Sequence, residues 1–163
     1  MHRTTPPTNP PGVAAIEADP HVPIIRITRD FQATPAQLLR AHTDPALYAR
    51  WVGPDASDVH IVDWDARSGG CWKYTDREHV FRGCFHLVRP GRIVQTFTWE
   101  GMPEEVALES LMFVDRGDGL TGLIAESLTY SFEKRDAWLR SGMEVGVNDG
   151  YAKLDALLAA GAV

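Results

Sequence analysis

The sequence predicts an α+β domain: a curved antiparallel sheet of about seven strands wrapped around a long C-terminal helix, with two short helices after the first strand. Three observations carry this. β-rich segments separated by Gly/Pro turns fill the middle of the chain, two proline-marked helix starts precede them, and the last ~30 residues switch to the spacing of an amphipathic helix.

Residues 1–22 hold five of the eleven prolines and almost no large apolar side chain, so this stretch is expected to be a disordered Pro-rich tail, with a single domain over 23–163. Ile24-Ile25-Arg26-Ile27-Thr28-Arg29-Asp30-Phe31, rich in β-branched residues, is the first strand. Thr34-Pro35 and Asp44-Pro45 each set an N-cap residue before a proline that is tolerated at the first helical position, giving helices near 35–42 and 45–51. Six strands follow, near 58–65, 70–76, 79–88, 92–100, 106–115 and 120–130, with turns at Ser68-Gly69-Gly70, Arg89-Pro90-Gly91, Gly101-Met102-Pro103 and Gly117-Asp118-Gly119. Leu139, Met143, Val147, Tyr151, Leu154 and Leu158 then recur at three and four residues, one face of a single long helix.

Length and charge narrow the function classes. A chain of 163 residues at 44% hydrophobic content fits one packed core. A net charge of −6 with no basic run argues against nucleic acid as a partner. No apolar stretch approaches the roughly 18 residues of a membrane span, and none resembles a signal-peptide core, so a cytoplasmic protein without membrane contact is expected. The two cysteines, Cys71 and Cys84, do not have zinc-site spacing and are expected as thiols in a reducing cytosol.

If Asp76 and His79 close a hairpin around Arg77-Glu78, Tyr74 opposes Phe81, Trp72 opposes Gly83 and Cys71 opposes Cys84. The aromatic face then points to the helix, and Gly83 leaves room for Trp72. At the next hairpin a two-residue turn would set Phe97 against Cys84, whereas a three-residue bulged loop sets Phe97 against Phe85 and Trp99 against Gly83. The bulged register is preferred because it keeps one apolar face continuous and turns Gln95 inward, where its amide needs a partner, a water or a ligand. The strand at 106–115 has apolar residues on both faces and its orientation stays open. Gly142, Gly146 and Gly150, in one row on the C-terminal helix, point to close backbone approach or an open cavity, since each costs about 1 kcal/mol relative to alanine.

Several motifs resemble one family across about residues 24–160. They are Asp44-Pro45 with Arg50-Trp51-Val52-Gly53-Pro54, Asp65-Ala66-Arg67-Ser68-Gly69-Gly70-Cys71-Trp72, Phe81-Arg82-Gly83 and Pro90-Gly91-Arg92-Ile93-Val94, followed by Arg135-Asp136, Ser141-Gly142-Met143-Glu144, Gly146 and Gly150-Tyr151. The chain resembles the SRPBCC (START-like) superfamily, in the branch named for the activator of heat-shock-protein ATPase. The resemblance implies a helix-grip fold whose sheet and long helix enclose an apolar pocket. It also implies a range of functions, from carriers and hormone-binding proteins to polyketide cyclases and co-chaperones. The Pro-rich tail departs from the family pattern, and nothing here resembles the N-terminal chaperone-binding domain of the eukaryotic activators.

Trp72, Tyr74, Phe81, Phe85, Phe97, Trp99, Met143, Val147 and Tyr151 are the candidate walls of a ligand cavity, with a filled core as the alternative. Gln95, together with Glu109 and Ser127, would orient a mostly apolar ligand, and Trp51 beside its Gly-Pro turn is either a packing anchor or part of the mouth. Asp76, His79 and Tyr74 are the candidate catalytic groups, weighed against the solvated polar residues that hairpin ends ordinarily carry. His79 and His86 point to opposite faces of one strand, so no metal site is expected, and no cofactor motif is present. The expected partner is a small hydrophobic, ring-containing ligand, with a polyketide cyclase-like, dehydratase-like or hydrolase-like enzyme and a co-chaperone as the alternatives. A homodimer through the strand at 120–130 is a further expectation, from Leu123 and Ala125 on one face and Ile124 and Leu128 on the other.

Overall fold

The computed structural model describes residues 12–163. In chain order the elements are β1 (Ala15–Ala18), β2 (Ile24–Gln32), α1 (Pro35–Thr43), α2 (Pro45–Trp51), β3 (Val59–Trp64), β4 (Cys71–Asp76), β5 (His79–Arg89), β6 (Arg92–Trp99), β7 (Ala107–Gly117), β8 (Leu120–Leu128), α3 (Phe132–Arg140) and α4 (Met143–Ala159). The strands form one sheet of eight, in the order β1-β2-β8-β7-β6-β5-β4-β3, with antiparallel pairing throughout. This is the helix-grip arrangement expected from the sequence, with one strand more.

Both short helices start where the sequence places them. The Thr34 hydroxyl accepts the Gln37 amide at 3.2 Å while the Gln37 carboxamide accepts the Thr34 amide at 2.9 Å, a reciprocal capping box that satisfies two otherwise unpaired donors. Asp44 caps α2 by accepting from Ala46 and Leu47. The last carbonyls of α1 are satisfied from outside: the Trp51 indole donates to Ala41 at 2.9 Å and the Trp64 indole donates to Thr43 at 2.7 Å. Two aromatic side chains thereby fix the helix pair against the sheet.

β1 corrects the expected tail. Ala15–Ala18 pair with β2, the Ala14 amide donates to Asn148 of α4 at 3.1 Å, and the Arg29 guanidinium donates to the Gly12 carbonyl at 3.1 Å. Composition misses this because one isoleucine carries the strand's apolar content, and its order comes from the open edge of β2 rather than from its own side chains. The tail expectation for residues 1–11 lies outside the described residues.

The expected single C-terminal helix is two helices. Gly142 takes φ +86°, a left-handed conformation that ends α3 and starts α4, so Leu139 belongs to α3. The apolar spacing runs through the break and conceals it. The other two glycines of the row mark close approach: a Cβ on Gly150 would lie 2.9 Å from the Trp51 carbonyl oxygen, and one on Gly146 would lie 3.4 Å from Pro54. They seat α4 on the end of α2.

The β4–β5 register is the expected one, with Tyr74 opposite Phe81, Trp72 opposite Gly83 and Cys71 opposite Cys84. Both cysteines are free and exposed, their Sγ atoms 3.4 Å apart. The β5–β6 register is a correction. Arg89 pairs with Arg92 across a two-residue turn, and the bulge sits between Phe85 and Leu87, setting Gln95 against Phe85 and Trp99 against Phe81. The displacement has a cause on the far side of β5, where Gly69, Gly70 and Ser68 engage Phe85 and Val88 and bend the strand. Because the shift is two residues, Gln95, Phe97 and Trp99 keep the inward face the sequence gives them.

β7 resolves likewise: Ala107, Leu111 and Phe113 are buried on the inner face, while Leu108 and Val114 are exposed outside. The core lies between this face and α4, where Tyr151 meets Phe31 edge-on at 5.3 Å and Leu154 and Leu157 are buried. Arg29, 3% exposed, also faces inward and holds Asp155 of α4 through both carboxylate oxygens, at 3.0 and 2.5 Å. Among the described residues no helix is long and apolar enough to cross a membrane.

Candidate functional site

Sheet and helices do not close on each other completely. Between the inner face, α2, α3 and α4 lies a cavity of about 890 Å³. Of the expected wall residues, Trp72, Tyr74 and Phe81 line it from β4 and β5, Phe97 and Trp99 from β6, and Met143, Val147 and Tyr151 from α4. Phe81, Phe97 and Trp99 keep surface that a filled core would have covered. Phe85 is corrected: it is 2% exposed, packs against Trp64 with ring centroids 5.8 Å apart, and belongs to the core behind the cavity.

Trp51 is both anchor and wall. Its indole is tied to α1, and its ring lies between His42 at 4.8 Å and Tyr151 at 6.0 Å on the cavity surface. Three further aromatic residues line the cavity beyond the expected walls: Tyr48, Trp64 and Trp138. Tyr48 sits three residues before Trp51 on α2, and Trp64 opposes Trp72 in the β3–β4 pairing, so helical spacing and one more register step would have found both. Trp138 depends on how α3 docks, which no local pattern encodes.

The cavity's polar groups form a row across three strands. Gln95 of β6 pairs with Glu109 of β7, and Glu109 pairs with Ser127 of β8, so their side chains lie side by side on the inner face. The Gln95 amide nitrogen donates to Glu109 Oε2 at 2.9 Å, and the Ser127 hydroxyl donates to Oε1 at 3.1 Å. Burial raises the Glu109 pKa, while these two hydrogen bonds work in the opposite direction. Around the carboxyl stand three phenols. Burial raises the pKa of Tyr48 and Tyr151, with the Glu109 charge the next cause, and it raises that of Tyr74 as well, with the neighbouring Tyr48 adding to it. All three hydroxyls therefore stay protonated at neutral pH.

Asp76 and His79 face each other in register at the rim but do not form an acid/base pair. The Asp76 carboxylate accepts the Ser57 hydroxyl and the Asp58 amide, both at 2.8 Å, and so serves to fasten the α2–β3 loop. The His79 ring packs edge-on against Trp99 at 5.7 Å. Tyr74, the third catalytic candidate, is 5% exposed and stacked on Trp72. No group of three or more metal-ligating side chains occurs among the described residues.

A helix-grip sheet, a broken C-terminal helix and an aromatic cavity between them define the class of protein. Residues 32–159 match the family described as Activator of Hsp90 ATPase homolog 1-like protein, and the chain belongs to that family. No curated protein matches the sequence. Among solved structures it is similar to a Mycobacterium smegmatis protein at 21% identity and TM-score 0.80, over 90% of this chain and 96% of that one. A Rhodobacter sphaeroides protein is similar at 27% identity and TM-score 0.78, over 90% and 98% of the two chains. An Hsp90 activator from Plasmodium falciparum shares the fold at 19% identity and TM-score 0.54, over 66% of this chain and 74% of that one.

Proposed function

We propose that the protein binds a small hydrophobic or aromatic, ring-containing ligand in the cavity between the sheet and α4. The observation that carries this reading is the open space itself. A volume of about 890 Å³ lies within the range of small-molecule sites, and its walls are aromatic with few convergent polar groups. Packing alone would favour collapse of such a space, because interiors are close-packed and unfilled volume costs stability. The half-buried Glu109 carboxyl on the cavity wall supports the same reading, since an ionisable group among phenols and indoles costs stability and gives an apolar ligand an orientation.

Titration with N-phenyl-1-naphthylamine, an uncharged ring probe that brightens on leaving water, tests the proposal. Ala125 lines the cavity from β8, so Ala125→Phe places a ring in open space without overpacking the core. The wild-type protein is expected to bind the probe at about one equivalent, and Ala125→Phe to weaken binding by about tenfold or more at unchanged melting temperature. Equal binding by both would place the probe elsewhere and remove the cavity as the site.

A second reading, a co-chaperone role toward an Hsp90-type ATPase, is supported by the family's description and the Plasmodium falciparum structure. An enzyme of the cyclase or dehydratase kind would use the same cavity, with Glu109 rather than Asp76 or His79 as its acid.

A further inference from the structure

We infer that the ligand is a cation: an amine, protonated at neutral pH, carried on an apolar ring system, with its ammonium group at Glu109 and its ring among the cavity's aromatic side chains. This inference rests on the cavity being a ligand site and adds the charge of the occupant.

The cavity's charges disfavour an anion. Asp76, Glu105, Glu109 and Glu126 reach its lining, against Lys134 as the one ammonium group among the described lining residues. That ammonium is held by Glu105 at 2.7 Å, and Glu126 is held outside by Arg26 at 2.9 Å. Of the two lining imidazoles, His42 donates its Nδ1 proton to the Leu38 carbonyl and is kept neutral by burial, while His79 sits at the rim. A carboxylate or phosphate entering this space would lose its hydration and gain no cationic partner.

An ammonium meets the opposite situation. Each Glu109 oxygen accepts one hydrogen bond from the protein, from Gln95 or from Ser127, which leaves each a further lone pair on a half-buried carboxylate that lines the cavity. A protonated amine would donate to those lone pairs and pair its positive charge with the carboxylate. The surrounding rings add to the preference, because indole and phenol faces attract cations and Tyr74 and Phe97 stand 5.7 and 5.6 Å from Trp72 by ring centroid. The net charge of −6 draws cations toward the protein at longer range.

Calorimetric titration of the full chain at neutral pH with three compounds of one shape tests this: 2-(1-naphthyl)ethylamine, 2-(1-naphthyl)ethanol and 1-naphthylacetate. The amine is expected to bind about tenfold tighter than the alcohol and the carboxylate weakest, with the amine's advantage over the alcohol lost in Glu109→Gln. An amine no tighter than the alcohol, a carboxylate that binds best, or a preference unchanged in Glu109→Gln would each overturn the inference. If N-phenyl-1-naphthylamine binds while none of the three does, the cation inference fails and the cavity reading stands. If none of the four binds, the cavity reading fails and this inference falls with it.

Discussion

Replacing Gly83 with alanine is expected to destabilise the protein by about 3 kcal/mol and lower its melting temperature by roughly 10 °C. A Cβ at this position would lie 2.0 Å from the Thr96 carbonyl oxygen and 2.6 Å from two atoms of the Trp72 indole. Neither neighbour can yield without disturbing its own partners. The carbonyl belongs to β6, which is paired with β5 on one side and β7 on the other, and the indole is fixed between Tyr74, stacked at 5.7 Å, and Phe97 at 5.6 Å. The indole lines the cavity and would be pushed toward it, so the variant is also expected to bind the naphthylamine probe more weakly. A melting temperature within a degree or two of wild type would show that Trp72 does not pack on Gly83.

Acid is expected to unfold the protein through His42. Its ring is 6% exposed, lies 4.8 Å from Trp51 and 5.1 Å from Phe113, and is held at a pKa of about 4 by burial, against which its bond to Leu38 acts in the other direction. In the unfolded chain the same imidazole titrates near 6.5. Between these values the unfolded state binds a proton that the folded state refuses, so stability is retained above about pH 6.5 and falls by about 3 kcal/mol as pH drops toward 4. Glu109 has the opposite sign. Its raised pKa contributes stability below its unfolded value that is lost as pH rises through its folded value. Urea midpoints measured against pH for wild type and His42→Gln separate the two: the variant is expected to lose the steep fall below pH 6.5, and an identical fall in both would place the acid lability elsewhere.

Much of this architecture follows from local chemistry. Proline after Thr34 and Asp44 locates two helices, and a hairpin closed at Arg77-Glu78 determines which residues of β4 and β5 share a face. Where non-local contacts decide, the sequence is silent. β1 exists because β2 offers an edge, the bulge in β5 exists because the Ser68–Gly70 loop engages that strand, and the break at Gly142 is concealed by apolar spacing that continues across it. The candidate site divides in the same way. Alternation alone points Trp72, Tyr74, Phe81, Phe97 and Trp99 inward, whereas the Gln95–Glu109–Ser127 row requires the pairing of three strands, and β7 carries apolar residues on both faces, so its pairing with β6 and β8 decides which face turns inward. Asp76 and His79 oppose each other as the hairpin predicts, but proximity in register does not commit a carboxylate to a histidine when a loop amide and a hydroxyl are nearer.

Native mass spectrometry of the purified protein, followed by denaturation and identification of whatever is released, tests the ligand-binding account most directly. The account predicts a stoichiometric small molecule with an apolar ring and a basic nitrogen, present on the wild-type protein or taken up from a mixture of such compounds and absent from Ala125→Phe. A protein that stays empty in that mixture, with tryptophan fluorescence unchanged by any of its components, would contradict it.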